Sequence, residues 1–584
     1  MLFGRTVNKF YIRYLHLFII GILALLLVDY IQLLIPENYG KLIDLIGTKT
    51  LTEESLFEII FNMLFITLCM FVGRFAWRIA VLNVGANVEA DLRVKMFNKM
   101  ESLSQNYFQI HKTGAQMALY TNDLMSVKNC FSEGIIMVVD AFFLGSLAIY
   151  KMIKLDLSMT LICLIPLAIV GIGGLVIGKI IDKKFDERQK SFENLSDFTQ
   201  ENFSGIAVIK AFVKEKQKIN EFIKHNKDFS KKNIGFIKFI VSLEVVFSVL
   251  MSFVTVIVLG YGTHLILVTA SSDNPFTAGK LVEFISFFGQ LTWPVMALSN
   301  LINITSQGRA SLKRIDELLV YPIDIKDAED VINTDKLDGH IVCKNLTFKY
   351  PGSEVEVLKN ISFEIYPGEK VGIIGKTGCG KTTIVDLLAR VYNVDEETLF
   401  IDDYDIMKLP VKKVRNLFSY VPQDNFLYND TILNNIAYSQ KSMGLEDAIK
   451  FAKYACVDDN IQEFPDKYDT IIGERGVALS GGQKQRISIA RAMAKESKVL
   501  ILDDSVSAVD TKTETSILHT LKEDFKDKTI IMIAHRVSTI DSMDKIILMD
   551  EGRVIAIGTH HELYENVEMY KEIVDLQRLE GGNN

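Results

Sequence analysis

The chain has 584 residues, 49% of them hydrophobic, and a net charge of −8. That length exceeds one compact domain, the apolar content is high for a soluble protein, and the acidic balance excludes a nucleic-acid binder held by bulk electrostatics. Cys69, Cys130, Cys163, Cys343, Cys379 and Cys456 stand singly, without a CxxC pair, so nothing points to a disulfide framework or a zinc site.

Arg5, Lys9 and Arg13 precede an apolar run over 14–36 that is too long for a signal-peptide core and is followed by no small-residue cleavage site. It reads as a first spanning helix with its basic flank in the cytoplasm. Segments 57–82, 132–152, 157–181, 239–270 and 281–303 also reach the roughly 20 apolar residues that a bilayer core requires. An even number of spans places both termini on the cytoplasmic side. The connection 182–238 supports this, being rich in lysine from Lys183 and Lys184 to Lys231 and Lys232, whereas 37–56 holds only Lys41 and Lys49. Lys151 and Lys154, at the short turn 152–156, depart slightly from that bias. Segments 83–130 and 182–238 are polar but keep helical apolar spacing. They are expected to be cytoplasmic extensions ending in short turns near Thr113-Gly114 and Ser204-Gly205, with a docking role.

A charged helix over 309–319 and an acidic stretch to Asp338 form a linker. The expected organisation is a six-helix membrane domain over 1–308, a linker over 309–338, and an α/β nucleotide-binding domain of the P-loop type over 339–584. In that last part, 370–374 is an apolar strand running into Gly375-Lys376-Thr377-Gly378-Cys379-Gly380-Lys381-Thr382, with a helix from Thr383. This is a P-loop in its strand–loop–helix context. Its glycines let backbone N–H groups wrap phosphates, Lys381 reaches the β- and γ-phosphates, and the Thr382 hydroxyl suits Mg²⁺. A hundred residues later Ser480-Gly481-Gly482 opens a second helix with N–H groups and a hydroxyl aimed at an anion. One ATP does not need two cradles from one chain, so the second implies a nucleotide held by another subunit. The apolar strand 499–502 then ends in Asp503, placed to hold Mg²⁺, and Asp504, placed as a general base or water-positioning group.

The P-loop, Leu479-Ser480-Gly481-Gly482-Gln483 and the Asp503 strand resemble, in order and spacing, the motifs of ATP-binding cassette (ABC) transporters. The six preceding spans resemble exporter-type half-transporters, over about 10–580 of the chain. The resemblance implies that Tyr350 stacks on adenine and that Gln423 touches Mg²⁺ and senses the membrane domain. It implies that Gly473-Glu474-Arg475-Gly476 meets the cytoplasmic loops, that Ser507-Ala508-Val509-Asp510 crosses a dimer interface, and that His535 contacts the γ-phosphate. The implied catalytic set is Asp504, His535 and Gln423, with Thr382, Gln423 and Asp503 on Mg²⁺ and ATP and Mg²⁺ as cofactors.

The chain departs from the family at Asp504, where Glu is usual. The side chain is shorter by one methylene, roughly 1.5 Å, and a water-positioning base must lie within about 3 Å of its water. An intact signature beside a shortened acid resembles the degenerate-site half of heterodimeric multidrug exporters. The partner would be a second half-transporter bearing Glu, the cargo an amphipathic drug or lipid, and the location the cytoplasmic membrane among its lipids. A homodimeric exporter and an ATP-gated channel stay open beside this reading. Within the spans Asp29, Arg74, Arg78, Asp140, Glu244 and Glu283 are functional candidates by default. Arg74 and Arg78, four apart, also suit snorkelling at the boundary. Gly174 and Gly178 form a GxxxG, and Gln290, Trp293 and Pro294 could line a cavity or break a helix.

Overall fold

In a bilayer every backbone N–H and C=O must be satisfied within its own segment, so long apolar runs become helices. The computed structural model describes residues 4–271, 275–334, 336–473, 477, 479–507 and 509–581, and leaves out the side chains of 167–179, 182, 247, 299 and 580. It divides into Met1–Met100 with Gly114–Tyr321, and Glu101–Thr113 with Pro322–Asn584.

Among the described residues five helical stretches are long and apolar enough to cross a membrane: Leu15–Gly47, Glu53–Glu101, Thr113–Leu155, Glu215–Thr269 and Ala278–Val320. The expected fourth span begins Leu157–Ser204, whose helix starts at an Asp156 cap accepting Met159 N–H at 2.7 Å. The GxxxG of Gly174 and Gly178 lies where side chains are not described. The first stretch breaks at Leu33 and the last at Leu291, each followed by a proline, Pro36 or Pro294, in the first turn of the new helix. The third contains two π turns, Leu119–Asp123 and Asp140–Leu144. Buried Phe284, Phe287 and Phe288 pack with Leu33, Leu144, Ala148 and Met152.

The charged stretch 309–319 is the continuation of the helix Thr292–Val320. It is fixed by Arg314, whose Nε donates to Asp123 Oδ2 at 3.0 Å, and by Ser311 Oγ, which donates to Asp123 Oδ1 at 2.7 Å. Short helices, Gln105–Ile110 and Ile206–Ala211, lie beside the expected turns, with Thr113-Gly114 opening the helix Thr113–Ala118 and Ser204-Gly205 ending the helix Leu157–Ser204. The first is delimited by extended backbone at Ser104 and His111, and the second follows a break at Gly205. Arg74 and Glu244 are exposed, and the Arg78 guanidinium lies 5.4 Å from the Trp77 ring.

Among the described residues the second unit holds twelve strands: β1 Ile341–Lys349, β2 Glu356–Ile365, β3 Lys370–Gly375, β4 Leu399–Ile401, β5 Tyr404–Asp405, β6 Phe418–Val421, β7 Asp430–Thr431, β8 Ile471–Ile472, β9 Val499–Asp503, β10 Thr529–Ile533, β11 Lys545–Asp550 and β12 Arg553–Gly558. One sheet runs β12-β11-β3-β10-β9-β6 and is parallel except at β11–β12. The other, β2-β1-β4-β5, is antiparallel. β9 and β10 are buried along their whole length, which is why they read as continuous apolar runs. The registers set Ile533 beside both Ile373 and Asp503, so the carboxyl ends of β3, β10 and β9 lie side by side. Loops at such ends are where open α/β sheets bind ligands.

Candidate nucleotide-binding site

The loop after β3 needs glycine at two points. A Cβ on Gly375 would lie 2.1 Å from Met549 O, and Gly380 has φ +98° with Leu358 Cδ2 2.5 Å from its would-be Cβ. The helix Lys381–Leu388 starts at Gly380. Lys381 is buried, and its ammonium folds back onto the loop, donating to Gly375 O and Lys376 O at 2.9 Å each. Cys379 is buried, and desolvation pushes its thiol up.

Around this loop lies a cavity of about 290 Å³. It is lined by Thr377, Gly378, Gly380, Lys381, Thr382 and Thr383 of the loop and helix, by Tyr350 and Val357, and by Gln423, Asp503, Ile533 and His535. Strand order therefore brings together residues up to 185 positions apart in the chain, from Tyr350 to His535. The Tyr350 hydroxyl is 2.8 Å from Thr383 Oγ1, and its ring meets Tyr392 edge-on at 5.2 Å. Asp503 is buried, and desolvation raises its pKa against the hydrogen bonds it accepts from Thr382 and Tyr420, the latter at 3.4 Å. Asp386, on the P-loop helix, is pushed up to about 6 by desolvation and then by the Asp503 charge.

Thr382, Asp503 and Gln423 offer only oxygen donors to one cavity, a hydroxyl, a carboxylate and an amide carbonyl. That set suits Mg²⁺, which takes few protein ligands and completes its shell with phosphate and water.

Two predicted groups are not brought to the cavity. Asp504 is not among its lining residues. Its backbone sits at φ +46°, with the N–H donating to Ile533 O at 3.0 Å and the carbonyl accepting from Gln485 Nε2 at 3.1 Å and Ser507 Oγ at 3.0 Å. Ser480, Gly481, Gly482 and Gln483 are also absent from the lining. They open the helix Gly481–Met493 through a capping box, with Gln483 N donating to Ser480 Oγ at 3.2 Å and Ser480 N to Gln483 Oε1 at 2.9 Å. Ser480 is exposed, and among the described residues its hydroxyl donates to no partner, which suits an acceptor outside the helix. Asp510 caps the helix Thr511–Glu523, accepting Thr513 N–H at 3.0 Å. Glu474, Arg475, Gly476 and Ala508 lie outside the described residues.

Residues 18–295 match the family model of the ABC transporter transmembrane region, and 358–507 that of the ABC transporter. The chain is 35% identical over 585 residues to "Probable multidrug resistance ABC transporter ATP-binding/permease protein YheI" of Bacillus subtilis, covering 99% of each. The chain belongs to the ABC transporters. It is 31% identical to the "ATP-dependent lipid A-core flippase" of Syntrophus aciditrophicus, over 85% of this chain and 81% of that one. It shares its fold with a solved bacterial Atm1-family ABC exporter with ATP bound, at TM-score 0.77, 24% identity and coverage of 98% and 99%. The protein is thus an exporter-type half-transporter, a multi-pass membrane protein that binds ATP and couples its hydrolysis to export.

In this ABC exporter half several residues at the site carried no motif. Gln577, on the helix Glu568–Gly581, donates from Nε2 to His535 O at 2.8 Å and accepts Val537 N–H at 2.7 Å, bracketing the His535 segment. Buried Glu514 bonds Thr539 and sits 3.7 Å from Arg536 on the same segment. Tyr420 stands three residues before Gln423, and Asp386 five after Lys381. Those spacings were the available signal, but only sheet order turns them toward Asp503. Arg390 is buried and clamps the interdomain stretch by donating to Leu409 O at 2.7 Å and Lys326 O at 3.1 Å.

Proposed function

We propose that this chain is one half of a heterodimeric exporter of amphipathic small molecules, drugs or lipids, across the cytoplasmic membrane, with both termini in the cytoplasm. Its own P-loop binds Mg²⁺-ATP and turns it over slowly. The observation that carries this reading is the composition of the cavity, which gathers the P-loop, Asp503, Gln423 and His535 but neither Asp504 nor the signature Ser480–Gln483. A site so built needs a signature from outside. This chain's exposed Ser480 hydroxyl and capped helix are ready to serve a site of the same kind on another cassette. The shortened acid makes that other site the faster one, which requires a partner different from this chain. Tyr350 stacks on adenine, Lys381 and the loop N–H groups hold the phosphates, and Thr382, Gln423 and Asp503 hold Mg²⁺. His535, on the segment bracketed by Gln577, contacts the γ-phosphate. ATP binding closes the two cassettes head to tail, and hydrolysis resets them. The names of the multidrug and lipid-flippase relatives support the cargo class, and the lysine-rich connection 182–238 supports the orientation.

The test is turnover of the purified chain alone against the chain with the half-transporter that co-purifies from its native membrane. The chain alone should hydrolyse ATP at least tenfold more slowly than the pair. Equal rates would favour a homodimer, and ATP-dependent single-channel currents would replace the export reading with a channel.

A further inference from the structure

The short helix Asn8–Arg13 and the long helix Glu53–Glu101 together hold a group of cations that nucleotide binding does not use. Lys95 Nζ is buried, and among the described residues it has no hydrogen-bond partner. The centroid of the Phe10 ring lies 4.2 Å from it and supports the charge from one side. Its three N–H donors stay unmatched. The charges that act on it are those of Lys9, Arg13 and Asp91. The Lys9 ammonium faces it, yet both groups are donors only and cannot satisfy each other. Asp91 is already engaged, its Oδ2 accepting Arg13 Nη1 at 2.7 Å and the Tyr14 hydroxyl at 2.9 Å. Three cations against one carboxylate leave the group at +2. Native folds leave few buried polar groups unpaired, and a desolvated ammonium without a counter-charge is among the costliest. What is missing is an anion with acceptor oxygens.

The depth of this group in the membrane follows from helix pairing. A Cβ on Gly21 would lie 2.6 Å from Val81 Cγ2, and one on Gly73 2.5 Å from Val28 Cγ2, so Leu15–Gln32 and Glu53–Glu101 run antiparallel in close contact. Continued toward the N-terminus, that register sets Tyr14 beside Asp91, just where the first apolar helix begins. Lys95 stands one turn further along, about 6 Å down the axis. A headgroup layer is itself about 5–7 Å thick on each side of the hydrocarbon. Lys95 and Lys9 therefore lie at phosphate depth, in the leaflet beside the N-terminal helix. Exposed Ile12, Leu15 and Ile19 leave an apolar stripe that runs from that helix into the hydrocarbon, so an anion carrying acyl chains fits better than a soluble one.

We propose that Lys9, Arg13 and Lys95 bind the phosphodiester headgroup of an anionic phospholipid, kept as a resident lipid and not as cargo. The ammonium groups of Lys95 and Lys9 donate to the phosphate oxygens. Arg13 keeps its pairing with Asp91 and adds its charge from the exposed side. The lipid thereby ties the helix Asn8–Arg13 to Glu53–Glu101 where each leaves the membrane. The site requires only that the chain span a bilayer, so it holds whatever the cargo and whichever subunit is the partner.

The experiment uses the complex with its native partner, delipidated in neutral detergent and labelled with a limiting dose of acetic anhydride. Peptide mass spectrometry then reads each lysine separately. The probes are dioleoyl phosphatidylglycerol, dioleoyl phosphatidylcholine and inorganic phosphate at matched concentration. Phosphatidylglycerol should slow acetylation of exposed Lys9 at least fivefold relative to the other two. It should leave exposed Lys412, on the nucleotide-binding unit, within twofold. Lys95→Met should raise the phosphatidylglycerol concentration that half-protects Lys9 about fivefold, the share of one basic residue at an anionic membrane surface, and Lys95→Arg should keep it within twofold. Equal protection by the two phospholipids would mean boundary lipid only and overturns the proposal. Equal protection by inorganic phosphate would mean a soluble anion and overturns it too. So does a half-protecting concentration unchanged in Lys95→Met. Where Lys95→Met lowers the melting temperature of the complex, the comparison of the three probes on the parent decides.

Discussion

Asp504→Glu tests most directly whether side-chain reach limits this chain's ATP site. Residue 504 is anchored through three backbone hydrogen bonds, to Ile533, Gln485 and Ser507, so the origin of its side chain is fixed. One added methylene extends the carboxylate by about 1.5 Å from that origin. A misplacement of about 1 Å can cost on the order of 100-fold in rate, or about 2.7 kcal/mol of barrier. Against this stands the left-handed backbone, φ +46°, which Asp tolerates better than Glu and which costs a side-chain-bearing residue about 1–2 kcal/mol in any case. The difference, about 0.7 to 1.7 kcal/mol, leaves an expected gain of roughly 3- to 20-fold in hydrolysis at this site. The assay is single-turnover release of γ-phosphate by the native complex whose partner P-loop lysine has been changed to Ala, so that only this site reports. The melting temperature of the complex is measured alongside. A rate unchanged or lowered at unchanged melting temperature would refute the argument from reach.

Further consequences follow from the same geometry. Ser480→Arg should remove most steady-state turnover of the complex, while Lys381→Ala should reduce it less, and the reverse order in a phosphate-release assay would indicate a symmetric dimer. Gln577→Ala removes both hydrogen bonds that bracket His535 and should lower the single-turnover rate at this chain's own site about 3- to 30-fold, each lost bond being worth about 1 kcal/mol. Nucleotide affinity should stay within about twofold, and a parallel loss of affinity would make Gln577 merely structural. Asp386 should couple Mg²⁺-ATP binding to pH. Its pKa of about 6 is raised first by burial and then by the Asp503 charge. Mg²⁺ on Asp503 removes that second push, so the bound state holds fewer protons. Affinity should therefore rise with pH up to about 6 to 7 and be flat above. Calorimetry in buffers of different ionisation enthalpy should find proton release near pH 6 in the parent and none in Asp386→Asn. Equal release in both would be contrary to this linkage.

What was legible in the sequence was whatever local chemistry writes as a contiguous pattern. The P-loop could be read because close backbone approach at Gly375 and the left-handed turn at Gly380 exclude a Cβ. The apolar runs of β9 and β10 could be read because both faces of those strands are buried, and the spans because lipid admits little else. The Ser480–Gln483 capping box is likewise a four-residue event. The remainder depended on neighbours distant in the chain. Tyr420 reaches Asp503 because β6 pairs with β9, Asp386 because β10 sets β3 and its P-loop helix beside β9, and Gln577 reaches His535 from a helix with no motif of its own. The continuation of the last helix through 309–319 was obscured because its charged residues resemble a linker until Arg314 and Ser311 are seen bonding to Asp123, some 190 residues earlier. Asp29 and Asp140 were visible as ionisable residues in apolar runs. That both are buried, and that Asp140 Oδ2 accepts the indole N–H of Trp293 from another helix, is a property of how helices pack, which local sequence does not encode.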